Sequence, residues 1–227
     1  MSLESLQKAI HYSFKDEALL IEALTHKSYN KGKKGERVDN QRLEFFGDAV
    51  IELAATEFLY ERYKSSDEGQ LSKMRSSLVC QKSLVVMAEA LEIQDDILIA
   101  EAEVRNGGRD KASTLADAME ALFGAIHHDA DYQTAKGVYL SLVENVLPSP
   151  EELEAKLNPK GALQEYTQSE LQALPEYRLV ERLGTDHEPL FKVAVYVADK
   201  ELAVAEATSL KKAESAAALL ALKSLIP

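Results

Sequence analysis

The sequence predicts an all-α unit followed by a small α+β unit whose elements run α-β-β-β-α, and three observations carry that prediction. Apolar residues recur with helical period almost everywhere up to residue 146. The segment Pro148-Ser149-Pro150, with the acidic run Glu151-Glu152-Leu153-Glu154 behind it, then interrupts the pattern. Beyond it, strand-like alternation appears.

Helical period covers roughly 3–12, 16–25, 41–63, 70–92, 113–129 and 132–146, with almost no strand candidates. The two prolines resist continuation of the last helix, so residues 149–157 read as a linker between a unit of residues 1–148 and one of residues 158–227. In the second unit Lys160 to Leu171 reads as a helix. Tyr177 to Leu183, Phe191 to Val197 and Leu202 to Thr208 are alternating or β-branched, and Leu210 to Leu225 is an alanine-rich helix. Two helices on one face of an antiparallel sheet make a sufficient small domain.

Composition bounds the function. A chain of 227 residues, 46% hydrophobic, buries a real core in one or two domains. The single cysteine, Cys80, excludes an internal disulfide. The first residues lack the basic-then-apolar order of a secretory signal, and no apolar run is long enough for a membrane span, so the expected location is cytoplasmic, with no membrane partner. The net charge of −12 argues against a polyanion partner at long range. Residues 1–150 carry 17 basic and 25 acidic side chains and residues 151–227 carry 9 and 13, so any nucleic-acid contact must use small local patches.

Four acids sit inside apolar helical stretches. Glu44 and Asp48 are four apart, and Asp117 and Glu120 three apart, so each pair shares one helix face. A carboxylate withdrawn from water costs several kcal/mol unless paired or metal-bound, and neither stretch offers enough cations. The pattern leaves two readings open. One is a solvated stripe on two amphipathic helices. The other, favoured by Phe46, Ala49 and Ala118 crowding the stripe, is a site for Mg2+ or Mn2+, which prefer carboxylate oxygen. The adjacent His127 and His128 do not read as zinc ligands, because successive helical side chains point about 100° apart and no Cys or His supports them at a suitable spacing.

The stretch Asn40-Gln41-Arg42-Leu43-Glu44-Phe45-Phe46-Gly47-Asp48-Ala49 resembles the signature helix of bacterial ribonuclease III. Phe14 through Ala23-Leu24-Thr25-His26-Lys27-Ser28-Tyr29 is similar to that family's upstream helix and turn, Glu68-Gly69-Gln70-Leu71-Ser72 to its third acidic element, and Asp117-Ala118-Met119-Glu120-Ala121 to its second metal-binding helix. The C-terminal part separately resembles a double-stranded RNA-binding domain: Leu163-Gln164-Glu165-Tyr166 its first helix, Pro175-Glu176-Tyr177 its first strand, Gly184-Thr185-Asp186-His187 with Phe191 its β1–β2 loop, and Ser209-Leu210-Lys211-Lys212-Ala213-Glu214 the start of its last helix.

The resemblance implies a ribonuclease III fold and a homodimeric endoribonuclease that cuts double-stranded RNA to 5′-phosphate and 3′-hydroxyl ends with short 3′ overhangs, in ribosomal and messenger RNA processing. It implies Mg2+, with Mn2+ as a substitute, held by Glu44, Asp48, Asp117 and Glu120, and no small-molecule cofactor. Asp48 and Glu120 are the residues it marks as catalytic. Gln41 and Glu68 become accessory polar positions, Gln164, Glu165, His187, Lys211 and Lys212 RNA contacts, and Phe45 a dimer-interface residue. The basic run Lys31-Gly32-Lys33-Lys34-Gly35-Glu36-Arg37 stands before the signature helix, either merely solvated or meeting phosphates.

Two departures from the family pattern tune this reading. Gln41 stands where a glutamate is usual, which weakens outer hydration of the metal, and Leu210 stands where the first lysine of a basic pair is usual. With Ala205 and Ala207 in place of glycines, the second departure predicts weak RNA binding on an intact fold. A different class of function, a catalytically silent double-stranded RNA-binding dimer, has no use for four costly carboxylates. A metal-dependent hydrolase of a small phosphorylated molecule has no use for the C-terminal segment.

Overall fold

The apolar periods of the first unit fold into helices α1 (Leu3–Ala9), α2 (Glu17–Ala23), α3 (Gln41–Arg62), α4 (Glu68–Val79), α5 (Gln81–Ala90), α6 (Glu101–Arg105), α7 (Ala112–Asp129) and α8 (Tyr132–Val146). Helix α9 (Pro150–Leu157) begins at the boundary, and α10 (Pro159–Glu170), β1 (Glu176–Gly184), β2 (Pro189–Val197), β3 (Lys200–Ala207) and α11 (Leu210–Leu225) follow in the second unit. This structure, a computed structural model, describes residues 3–29, 38–185 and 188–225. The chain divides into two compact units, Met1–Pro150 and Glu151–Pro227.

Helix α7 is apolar almost all the way round, and a helix of that kind belongs in a core. Leu115, Met119, Leu122, Phe123 and Ile126 are all buried on it, and α2, α3, α5 and α8 pack around it. Removing each such side chain from water contributes about 1.5–3 kcal/mol. Side-chain caps fix where several helices start. Asp16 accepts from the Ala18 N–H, Asp131 from the Thr134 N–H, and Asp67 forms a capping box with Gln70. Asp129, the last residue of α7, accepts hydrogen bonds from the Tyr12 hydroxyl and from the N–H groups of Lys15 and Asp16, which ties the α1–α2 connection to the central helix.

The expected single helix over 70–92 is two helices. Cys80 is extended (φ −67°, ψ 156°) between α4 and α5. Serine hydroxyls take up carbonyls near the break: Ser77 Oγ donates to the Met74 carbonyl (2.7 Å) and Ser83 Oγ to that of Ser77 (2.5 Å). The segment expected to be a linker is also partly helical, because Pro150 stands at the first position of α9, where its missing N–H costs nothing.

In the second unit β1, β2 and β3 form an antiparallel sheet in that order, with Tyr177 opposite Val195 and Ala194 opposite Val204. The alanine stripe of α11 (Ala213, Ala217, Ala218, Ala221) is fully buried, so the helix sits close to Val195 and Ala205 of the sheet and Leu163 of α10. Gly184 ends β1 at φ +82°, where a Cβ would overlap the Glu188 carbonyl. The β2–β3 hairpin turns on Ala198 (φ 48°) and Asp199 (φ 62°), both left-handed as a type I′ turn requires. Among the described residues no helix is long and apolar enough to cross a membrane.

Candidate active site

Glu44 lies in the first turn of α3, and the start of that helix is held from two sides. The Asn40 N–H donates to the Thr25 carbonyl (2.9 Å), and the Asn40 carbonyl accepts the first helical bond from Glu44 (2.8 Å). The turn at Thr25 is itself pinned. Thr25 pairs with Leu98 in a short parallel bridge, the His26 N–H donates to the Leu98 carbonyl (2.9 Å), and Ser28 Oγ accepts from the Ala100 N–H (3.2 Å). The α2–α3 turn therefore stands beside the entry of α3.

The other two acids come from α7, and glycines decide how near they approach. A Cβ on Gly47 would overlap the Glu120 carbonyl, and one on Gly124 would overlap the Leu43 carbonyl. Only glycine lets the two backbones meet there. The crossing brings carboxylate oxygens of Glu44, Asp117 and Glu120 within 4.8 Å of one another, each half-buried. Asp48, one turn along α3, is exposed and lies outside that group.

The electrostatics follow from the crowding. Burial, then the charges of Asp48, Glu44 and Asp117, push the Glu120 carboxyl up from 4.5 to about 7. Burial and Asp117 raise Glu44, while burial raises Asp117 against the opposing pull of Lys27 and His26. Among the described residues none of these carboxylates has an ion-pair partner within 4.0 Å. Hard oxygen donors, converging, half-buried and short of cations, fit a hard divalent metal.

The other residues singled out in the sequence lie apart from the cluster. Gln41 is exposed at the start of α3, one turn before Glu44. Glu68 opens α4 and accepts a hydrogen bond from Ser72 Oγ (3.0 Å); it does not join the carboxylate group. Phe45 is 82% exposed, whereas Phe46 packs between the rings of His127 and His128 at 4.8 and 4.7 Å. In the second unit Gln164 and Glu165 are exposed on α10, and Lys211 and Lys212 on the first turn of α11, with Leu210 just before them at 42% exposure. His187 and the basic run at 31–37 lie outside the described residues.

The sequence reading missed Gly47, Gly124, Asn40 and the cation Lys27. A glycine inside each of two helical runs, close to the acids, was the available signal. Nothing local marked Asn40 or Lys27, whose surroundings come from Thr25 and Leu98.

A family model described as Ribonuclease-III-like matches residues 16–146, and one described as Double-stranded RNA binding motif matches residues 159–225. The chain is 42% identical over 227 residues to Ribonuclease 3 of Campylobacter jejuni, covering 99% of this chain and 98% of that protein. The chain belongs to the ribonuclease III family. Other relatives named Ribonuclease 3 are those of a Sulfurovum species (40% identity, 97% of this chain and 96% of that protein) and of Caldanaerobacter subterraneus (40%, 98% of each). The nuclease domain of ribonuclease III from Campylobacter jejuni, described as having structural flexibility in a region involved in dimer formation, superposes with a TM-score of 0.61 at 46% identity, covering 65% of this chain and 99% of that one. The present ribonuclease III-family chain is thus an endoribonuclease acting on double-stranded RNA, with a helical nuclease part followed by an α-β-β-β-α RNA-binding motif.

Proposed function

We propose that the carboxylates of Glu44, Asp117 and Glu120, with Asp48 beside them, hold Mg2+, or Mn2+ in its place, and that this site cuts RNA duplexes. The convergence of three half-buried carboxylate oxygens within 4.8 Å is the observation that carries this reading. A divalent metal bound there would polarise the phosphoryl oxygen, acidify a water and neutralise charge on the leaving oxygen. The reaction is a hydrolysis: a water oxygen adds to phosphorus, the bond to the 3′ oxygen breaks, and that oxygen leaves with a proton. The products carry 5′-phosphate and 3′-hydroxyl ends.

The chain's own residues set the geometry. The Gly47–Gly124 crossing fixes the two acidic faces relative to each other, so little motion is needed once RNA is bound. Glu120, with a pKa near 7, sheds its proton when positive charge enters the cluster. Asp48 and Glu120 are the pair we assign to the cutting step, with Gln41 and Glu68 as outer polar groups.

The exposed apolar line Phe45, Leu53 and Tyr60 along α3 (82, 49 and 75% exposed) supports self-association through that helix. A homodimer would place two sites on opposite strands and leave short 3′ overhangs. In the RNA-binding domain Gln164, Glu165 and His187 face the minor groove in this reading, and Lys211 and Lys212 meet phosphate at the N-terminus of α11. We assign residues 1–148 to the nuclease domain, 149–157 to the connection and 158–227 to the RNA-binding domain, with cytoplasmic processing of ribosomal and messenger precursors as the cellular role. Incubating a long RNA duplex with and without Mg2+, then mapping the ends, tests the assignment. Binding without Mg2+-dependent cutting would support a silent double-stranded RNA-binding dimer instead.

A further inference from the structure

Lys27 projects from the pinned turn between α2 and α3 and is exposed. Among the described residues it forms no ion pair, although the nuclease unit is rich in acids. Its backbone does not wander. The Thr25 carbonyl is bonded to Asn40 at the start of α3, and His26 and Ser28 on either side of Lys27 are bonded to Leu98 and Ala100. His26 Nδ1 also lies 2.8 Å from Ser28 Oγ, closing the turn on itself. A lysine is thus held at the entry of the helix that carries Glu44, with its ammonium left to water.

We propose that the Lys27 ammonium binds a phosphate of the RNA strand entering the carboxylate cluster. The need is electrostatic. Strand and cluster are both negative, and three half-buried carboxylate oxygens converge within 4.8 Å in the cluster. A cation committed to a carboxylate would already be neutralised, whereas an unpaired one close by can meet a phosphate oxygen as a point charge. Lys27 is close enough for its charge to pull against the upward shifts of both Glu44 and Asp117. The Thr25–Asn40 hydrogen bond, one turn before Glu44, sets this turn at the α3 side of the site.

The inference rests on the metal-site reading for the location of the cut, and the test separates the two. Full-length wild type, Lys27→Met and Lys27→Arg are compared on one RNA duplex, after thermal unfolding has checked that each folds. Cleavage is followed at saturating Mg2+ over a range of salt, and also over a range of Mg2+. Binding is read by fluorescence anisotropy with Glu120→Gln in each background. We expect Lys27→Met to lower kcat/KM by about 10- to 100-fold and Lys27→Arg to stay within about threefold of wild type. The slope of log affinity against log salt should flatten by about 0.7–0.9 in Lys27→Met, the loss of one phosphate contact, with at most a small decrease in half-saturating Mg2+ as a nearby positive charge is removed. An unchanged slope and rate in Lys27→Met would overturn the proposal. So would a shift in half-saturating Mg2+ at an unchanged salt slope, because Lys27 would then serve the carboxylates alone. Wild-type cleavage that persists in EDTA would overturn the metal reading instead.

Discussion

Gly47 of α3 lies directly against Gly124 of α7: a Cβ built on Gly47 would come within 2.9 Å of the Gly124 nitrogen, and one on Gly124 within 3.2 Å of the Gly47 nitrogen. The distance between the two acidic faces is therefore set by backbone against backbone, with no side chain between them to yield.

Gly47→Ala should force α3 and α7 apart. Overpacking of this kind costs about 1–3 kcal/mol, more than the gain of up to about 1 kcal/mol from replacing a helical glycine by alanine. Lower urea midpoints and much slower RNA cleavage are the expected results. Gly137→Ala is the control: Gly137 sits on α8 with nothing within 4 Å of its Cβ position. There the propensity gain acts alone, and stability should rise by about 0.5–1 kcal/mol. A similar response at both positions would mean that the close crossing does not constrain the helices.

Glu120→Gln keeps the volume of a proposed ligand and removes its charge. Cleavage should fall by several orders of magnitude while a gel shift still shows duplex binding. Near-normal cutting would remove Glu120 from the site. The same substitution should alter the pH dependence of stability. Glu120 is raised from 4.5 to about 7 in the fold, so its contribution is full below pH 4.5 and is lost as pH rises through about 7. In EDTA the wild type should lose more stability than Glu120→Gln between pH 5 and 8, read as urea midpoints. Parallel profiles would contradict the raised pKa.

Phe45→Glu tests assembly. The side chain is 82% exposed in the single chain, so the variant should fold. In a self-association through α3 it would bury an unpaired charge and release monomers. Sedimentation of both proteins measures this, and a wild type that is monomeric at micromolar concentration would contradict two-strand cutting.

Leu210→Lys should strengthen RNA binding. The position opens α11 beside exposed Lys211 and Lys212. One more phosphate contact should steepen the fall of log affinity with log salt by about 0.7–0.9, equally on unrelated duplexes. Salt titrations on full-length protein in the Glu120→Gln background would read this. An unchanged slope would mean that position 210 does not face RNA.

Ala198→Asn addresses the hairpin turn, where Ala198 holds φ 48°. Asparagine tolerates that region far better than alanine, so a gain of a few tenths to about 1 kcal/mol is expected in thermal unfolding. An unchanged or lower Tm would show that the turn is not strained.

Helical spacing pairs Asp117 with Glu120 and Glu44 with Asp48, but it does not show that Glu44 joins the α7 acids while Asp48 stays outside the group. The antiparallel sheet was legible because its strands alternate. The break at Cys80 was not, since no glycine or proline marks it and the serines that satisfy it look like surface residues until their hydroxyls are placed. Pro150 misled in the opposite direction, because a proline that ends one helix can also begin the next. Lys27 comes to the entry of α3 only through the Thr25–Asn40 hydrogen bond and the Thr25–Leu98 bridge, which no local pattern encodes.

The clustered carboxylates come from α3 and α7, helices that α4, α5 and α6 separate along the chain. Such a site is a long-range contact, and its closure entropy must be met before it exists. Each helix can form early during folding, yet neither holds the whole carboxylate group until they dock. A ligand specific for the assembled cluster would bind the native state and not a partly folded one, and would draw the folding equilibrium toward the finished domain. Metal affinity measured during refolding would then report the docking of these two helices, and nuclease activity would appear only after it.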